Sequence, residues 1–170
     1  GLDKKEYSIV DHSKNMVNSI LFKSYLTLSF EKGDQVQETG FLLSGFAHTM
    51  FVASDNKNYE DMFNRLVIDK FEIVKNFSEI KGEDKEVLII NNSEIDFKLL
   101  IQKIKSIKVD ILCLPNQPNL IEINELHKYV SKIFINLENL NKIKSDSKII
   151  FGLLKIAKSH IAPARIVSIS

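Results

Sequence analysis

Three short apolar runs begin 23 residues apart: Glu86 to Asn91 (EVLIIN), Val109 to Leu114 (VDILCL) and Lys132 to Leu137 (KIFINL). Each has the length of a strand and carries apolar residues on both alternating faces, the pattern of a strand covered on two sides. Between the first two, residues 94–108 place Phe97, Leu100, Ile101, Ile104 and Ile107 at steps of three and four, with Lys98, Lys103 and Lys105 elsewhere. That spacing predicts an amphipathic helix. Ile121, Leu126, Tyr129 and Val130 predict a second helix over 121–130. Ile149, Ile150, Leu153, Leu154 and Ala157 predict a third over 146–160, although Gly152 weakens it, and RIVSI at 165–169 reads as a fourth strand. Strands alternating with helices imply right-handed crossovers and a parallel sheet. The regular step also suggests a leucine-rich solenoid. Val87, Ile89 and Asn92 meet its pattern, but Ile133, Ile135 and Glu138 break it.

Composition shifts near residue 80. Residues 1–80 hold 8 of the 11 Phe and 5 of the 23 Ile, and their charge is 9 basic minus 12 acidic, or −3. Residues 81–170 carry 14 minus 10, or +4. The polar stretch Ser78 to Lys85, which contains Gly82, reads as the joint. The expected fold class is therefore α/β: a Rossmann-like parallel sheet of βαβαβαβ order over 81–170, packed against a smaller α+β subdomain over 1–80. In that first part a helix is expected at 13–23, a strand at 25–30, a turn at Glu31 to Asp34, and a helix at 59–68 that continues toward Phe77. Residues 40–53 (GFLLSGFAHTMFVA) fit a buried helix or a strand; Gly45 and the aromatics favour extended structure paired with 25–30.

Several function classes are excluded or disfavoured. Cys113 is the only cysteine, so neither an intrachain disulfide nor a multi-cysteine zinc site is possible. The longest apolar runs fall far short of the ~20 residues of a membrane helix. Gly1-Leu2-Asp3-Lys4-Lys5 lacks a signal peptide's apolar core, which leads to an expected cytoplasmic location. Lys outnumbers Arg by 21 to 2, and the net charge is +1. Arg is the usual bidentate reader of phosphates and bases, so nucleic-acid binding is disfavoured. The six glycines never form a phosphate-binding loop.

In a parallel sheet, ligands bind beyond the carboxyl ends of the strands. Here those ends carry Asn91, Asn92 and Ser93, then Asn116 and Gln117, then Asn136. These are the expected ligand-binding residues. They donate and accept hydrogen bonds but do not exchange protons near neutral pH. A purely structural role competes: Ser93 with Asp96, and Asn119 with Glu122, have the spacing of helix capping boxes, and Pro115 and Pro118 stiffen the intervening loop.

Conventional catalytic patterns are missing. His12, His48, His127 and His160 show no metal-binding spacing, and no Ser stands in a nucleophile elbow. Cys113 lies in an apolar strand, where a buried inert thiol is expected. The expectation is a non-catalytic regulatory or interaction module. It would bind a protein partner or a small polar ligand at the strand ends, use no cofactor or metal, contact no membrane, and be compatible with self-association. Two other readings remain open. One is a small α/β enzyme using Cys113 or His48. The other is a weak binder of nucleic acid or an acidic partner through two lysine clusters, Lys98, Lys103, Lys105 and Lys108, and Lys142, Lys144 and Lys148.

Overall fold

The computed structural model describes residues 40–43, 49–153 and 155–169. The expected helix at 13–23, strand at 25–30 and turn at 31–34 lie outside them, as do His12 and His48. The described elements are β1 (Gly40–Leu42), β2 (Met50–Ala53), α1 (Asn56–Asp61), β3 (Val67–Ile68), β4 (Glu72–Val74), β5 (Lys85–Ile90), α2 (Phe97–Ile104), β6 (Val109–Cys113), α3 (Leu120–Leu126), β7 (Lys132–Ile135), β8 (Lys148–Leu153) and β9 (Ile161–Ile169), with three short 3-10 turns. They form a mixed α/β fold around one curled sheet of order β3-β8-β9-β2-β7-β6-β5-β4, with β1 pairing on β9.

Half of the sheet follows the sequence reading. The strands β4, β5, β6 and β7 run parallel, and Val87 pairs with Ile111 and Leu112 with Ile133. The intervening helices form where expected. Asn119 and Glu122 cap α3 reciprocally, with Glu122 N donating to Asn119 Oδ1 at 2.8 Å and Asn119 N to Glu122 Oε1 at 2.9 Å. For α2 the cap is Asp96 rather than Ser93, because the Asp96 carboxylate accepts from the backbone N–H of Lys98 and Leu99. Ile121 does not join the buried face of α3 and is 76% exposed.

The other half corrects the expectation. Residues 148–153 are a strand, not part of a helix, and pair antiparallel with β9 from Lys148↔Ile169 to Leu153↔Ala164. The link between β8 and β9 spans seven residues, too short for the crossover that parallel pairing demands. The 165–169 strand is therefore real but antiparallel to β8, and β9 pairs antiparallel with β2 through residues 161–163. The sheet is not clearly Rossmann-like. The helix expected at 59–68 is also shorter: α1 passes into a 3-10 turn over Met62–Asn64, and Val67–Ile68 pairs with Ile150 and Ile149 of β8. Residues 40–42 and 50–53 are extended, but the strand between β7 and β9 is β2.

Two cores result. On one face Leu88, Ile90, Leu112, Leu114, Ile133 and Ile135 pack under Leu100 and Ile104 of α2 and Leu126 of α3. The opposite side chains, among them Val87, Ile89, Ile111, Cys113 and Phe134, face the second core. That core is closed by the sheet itself. Phe151 of β8 lies 4.5 Å, centroid to centroid, from Phe134 of β7. The two strands are three places apart, which in a flat sheet would be about 14 Å. Curling brings them together, and Phe51 stacks on Phe134 at 4.7 Å to complete the aromatic centre.

Candidate functional site

The carboxyl ends of β5, β6 and β7 sit side by side, and their polar residues form two groups. The first joins Ser93, Asn116, Gln117 and Asn136. Asn116 Nδ2 donates to the Ser93 carbonyl at 3.3 Å, and Asn136 Nδ2 to Gln117 Oε1 at 3.1 Å. The Asn136 N–H reaches the Asn116 carbonyl at 3.2 Å. Asn136 ends β7 with φ of 58°, a left-handed conformation that asparagine tolerates better than most residues. Its carbonyl accepts from Thr49 Oγ1 at 2.7 Å. Thr49 is a member that sequence reasoning missed, since only the pairing of β2 against β7 brings it to this edge.

Within this group, Asn116 Oδ1 is buried and accepts no hydrogen bond. An unpaired buried acceptor costs free energy, which sets Asn116 apart in an otherwise bonded cluster.

Asn91 and Asn92 turn the other way, toward β4. Asn92 is structural: its Oδ1 accepts from Glu94 N at 2.9 Å and its Nδ2 donates to the Lys75 carbonyl at 3.1 Å. The Asn91 N–H continues the ladder to the Val74 carbonyl at 2.8 Å, and its side chain lines a cavity of about 370 Å³.

A second polar region lies at the opposite ends of the strands. Lys132 Nζ, on a side chain only 3% exposed, meets Asp61 Oδ2 at 2.9 Å and Asp110 Oδ1 at 3.0 Å. Arg65 bridges Asp110 and, at 2.7 Å, Glu86. The Lys132 hydrogen bond holds the Asp61 carboxyl below its ordinary range. Asp110 and Lys132 also border an open polar cavity of about 560 Å³. A charged residue inside an apolar strand, Asp110 in VDILC, was the sequence signal for this network.

Cys113 is fully buried in the sheet core, and burial pushes its thiol far above the ordinary range, which leaves it no part as a nucleophile. His127 Nδ1 donates to the Val130 carbonyl at 2.9 Å, so that nitrogen carries the proton. Lys98, Lys103, Lys105, Lys108, Lys142, Lys144 and Lys148 are exposed. Among the described residues no group of three or more His, Cys, Asp or Glu is placed to hold a metal ion. No helix among them is long and apolar enough to cross a membrane.

No protein-family model matches the chain, and no curated protein matches it. Several solved structures are similar. One is titled a predicted metal-dependent hydrolase from Bacillus stearothermophilus, with a TM-score of 0.51 and 10% identity over 80% of this chain and 89% of that one. Another is an isatin hydrolase bound to a product analogue, with a TM-score of 0.49 and 14% identity over 72% of this chain and 71% of that one. A third is titled a potential metal-dependent hydrolase with cyclase activity, with a TM-score of 0.47 and 11% identity over 81% and 90% of the two chains. At these identities the likeness is one of fold. It corrects the expectation of a non-catalytic regulatory or interaction module, because the architecture is shared with a protein titled a predicted metal-dependent hydrolase.

Proposed function

We propose that this chain is an enzyme of hydrolytic type that acts on a small polar substrate at the carboxyl ends of β5, β6 and β7. The observation that carries this reading is the buried, unpaired Oδ1 of Asn116 within the group made with Ser93, Gln117 and Asn136. A substrate N–H or O–H would complete it. The hydrolase-like architecture supports the reading by analogy of fold alone.

Neutral amides bind and orient; they do not move protons. The proton-transfer group proposed here is His48, which precedes Thr49 in the chain, and Thr49 is hydrogen-bonded to this edge. A histidine near its ordinary pKa takes a proton from water as the oxygen attacks the substrate carbonyl, then returns it to the leaving nitrogen or oxygen as that bond breaks. Cys113 has no place in this scheme.

The test is turnover of a panel of small esters, amides and lactams by the purified chain and two variants. His48→Ala is expected to lose about 100-fold or more in kcat/KM, the usual size of a general acid–base contribution. Asn116→Ala is expected to lose about tenfold, mainly through KM. Absence of turnover across the panel, or turnover that both variants retain, would overturn the reading.

A further inference from the structure

The cavity bordered by Asn91 lies between the carboxyl ends of β4 and β5 and the 3-10 turn Leu140–Lys142 that follows β7. Its floor is apolar. Phe71, Ile73, Leu140 and Ile143 line it and pack onto the sheet core beneath. Its rim is polar and carries Lys75, Asn91 and Asn141. The volume of about 370 Å³ sits at the small end of ligand sites.

The rim is chemically unspent. Lys75 forms no ion pair with any described residue, and the side-chain amides of Asn91 and Asn141 bond to none. Lys85 and Lys132, at the opposite ends of the strands, are by contrast paired with carboxylates: Lys85 with Glu72, and Lys132 with Asp61 and Asp110. No described carboxylate lines the cavity. Among the described residues, one cation, two side-chain amides and a hydrophobic floor around one small space form a one-charge, amphipathic receptor.

From this we infer that the cavity binds a small organic monocarboxylate with a compact apolar body. The carboxylate meets Lys75 and the rim amides, and the hydrocarbon part displaces water from Phe71, Ile73, Leu140 and Ile143. A charge-assisted bond to ammonium is roughly twice as strong as a neutral one, so an acid is selected over its amide. Phosphate-bearing ligands fit less well, since neither Arg nor a glycine-rich loop borders the space. The cavity lies apart from the Asn116 group, so the inference does not rest on the proposed function, and binding does not require turnover.

The experiment is titration of the full chain with isovalerate and benzoate, and with benzamide as the uncharged control, followed by NMR of the Ile73 and Ile143 methyl groups. Both acids are expected to shift these methyls at millimolar concentration or below, and benzamide to bind at least about tenfold more weakly. Lys75→Met is expected to abolish the preference for acid over amide. Ile143→Asp, which places a repelling charge on the floor, is expected to remove binding of both acids while leaving Cys113 protected from thiol reagents, a check that the chain still folds. Equal binding of benzoate and benzamide, an unchanged preference in Lys75→Met, or no shift with either acid would overturn the inference. Acid binding without turnover of any ester or amide would overturn the hydrolase reading alone.

Discussion

Lys132 and Asp110 stand on neighbouring parallel strands, and the ammonium of one lies 3.0 Å from the carboxylate of the other. Asp61 supplies the second carboxylate from α1, but its side chain is about half exposed. The two acids are therefore unequal. Asp110→Ala strips a buried ammonium, and also Arg65, of its inner partner, and is expected to cost about 3 kcal/mol. Asp61→Ala removes a solvent-screened partner and should cost under about 1 kcal/mol. Urea denaturation of the two variants measures the difference; equal losses would mean that Asp61, not Asp110, neutralises Lys132.

The pairing of Asp61 also has a pH signature. Its folded pKa is depressed, first by the hydrogen bond from Lys132. A depressed carboxylate contributes stability that is present above its unfolded pKa and is lost as pH falls through the folded value. Asp61→Asn is expected to lower stability slightly near neutrality and to flatten the loss of stability below about pH 4. Chemical denaturation at a series of pH values provides the measurement.

His127 should act at milder acidity. Burial of the ring lowers its pKa, and Nε2 is enclosed without a partner. Asp55 pulls in the other direction and His160 in the same one. The folded state therefore resists the proton that the unfolded chain accepts below about pH 6.5. Stability is full above that pH and declines as pH falls toward the depressed folded value. His127→Gln, which keeps hydrogen-bonding capacity without titrating, is expected to remove this slope between pH 7 and 5. A slope that persists in the variant would assign it to another group.

Leu100 and Leu99 are adjacent on α2 and belong to opposite surfaces: Leu100 is fully buried under the sheet and Leu99 is 50% exposed. Leu100→Ala is expected to cost roughly 2–5 kcal/mol by leaving a cavity. Leu99→Ala should stay within about 0.5 kcal/mol. Thermal or urea unfolding of the pair tests the helix orientation directly.

Cys113 offers a probe of the core. Its sulfur sits among sheet residues, and burial disfavours the thiolate that reagents attack. Native protein is expected to react with a disulfide reagent only on the timescale of unfolding, and to label at once in denaturant. Rapid native labelling would show that the sheet opens around β6.

Local sequence determined the central βαβαβ. In β5, β6 and β7 a continuous apolar run, and in α2 and α3 a helical period with a cap, leave one conformation that buries the right atoms, so runs at 86, 109 and 132 became parallel strands. Asn91, Asn92, Ser93, Asn116, Gln117 and Asn136 were legible as polar groups at strand ends for the same reason. Which of them cooperate was not. Asn92 is spent on a turn, whereas Asn116 and Asn136 meet across the edge.

Tertiary structure decided the rest. Residues 148–153 (KIIFGL) carry apolar side chains that satisfy a helical stripe as readily as a pleated face, and only the nine-residue β9 lying beside them makes the strand the lower-energy choice. The same holds for Val67–Ile68, whose pairing partner is more than 80 residues away, and for β2, which needs β7 on one side and β9 on the other. The curl that sets Phe151 against Phe134, the ion pairs around Lys132, and the arrival of Thr49 at Asn136 all follow from those distant pairings. Helical periodicity is a property of neighbours within a few residues, so sequence displays it. A strand is stabilised by hydrogen bonds and side chains from elsewhere in the chain, so its identity is settled only when its partners are in place.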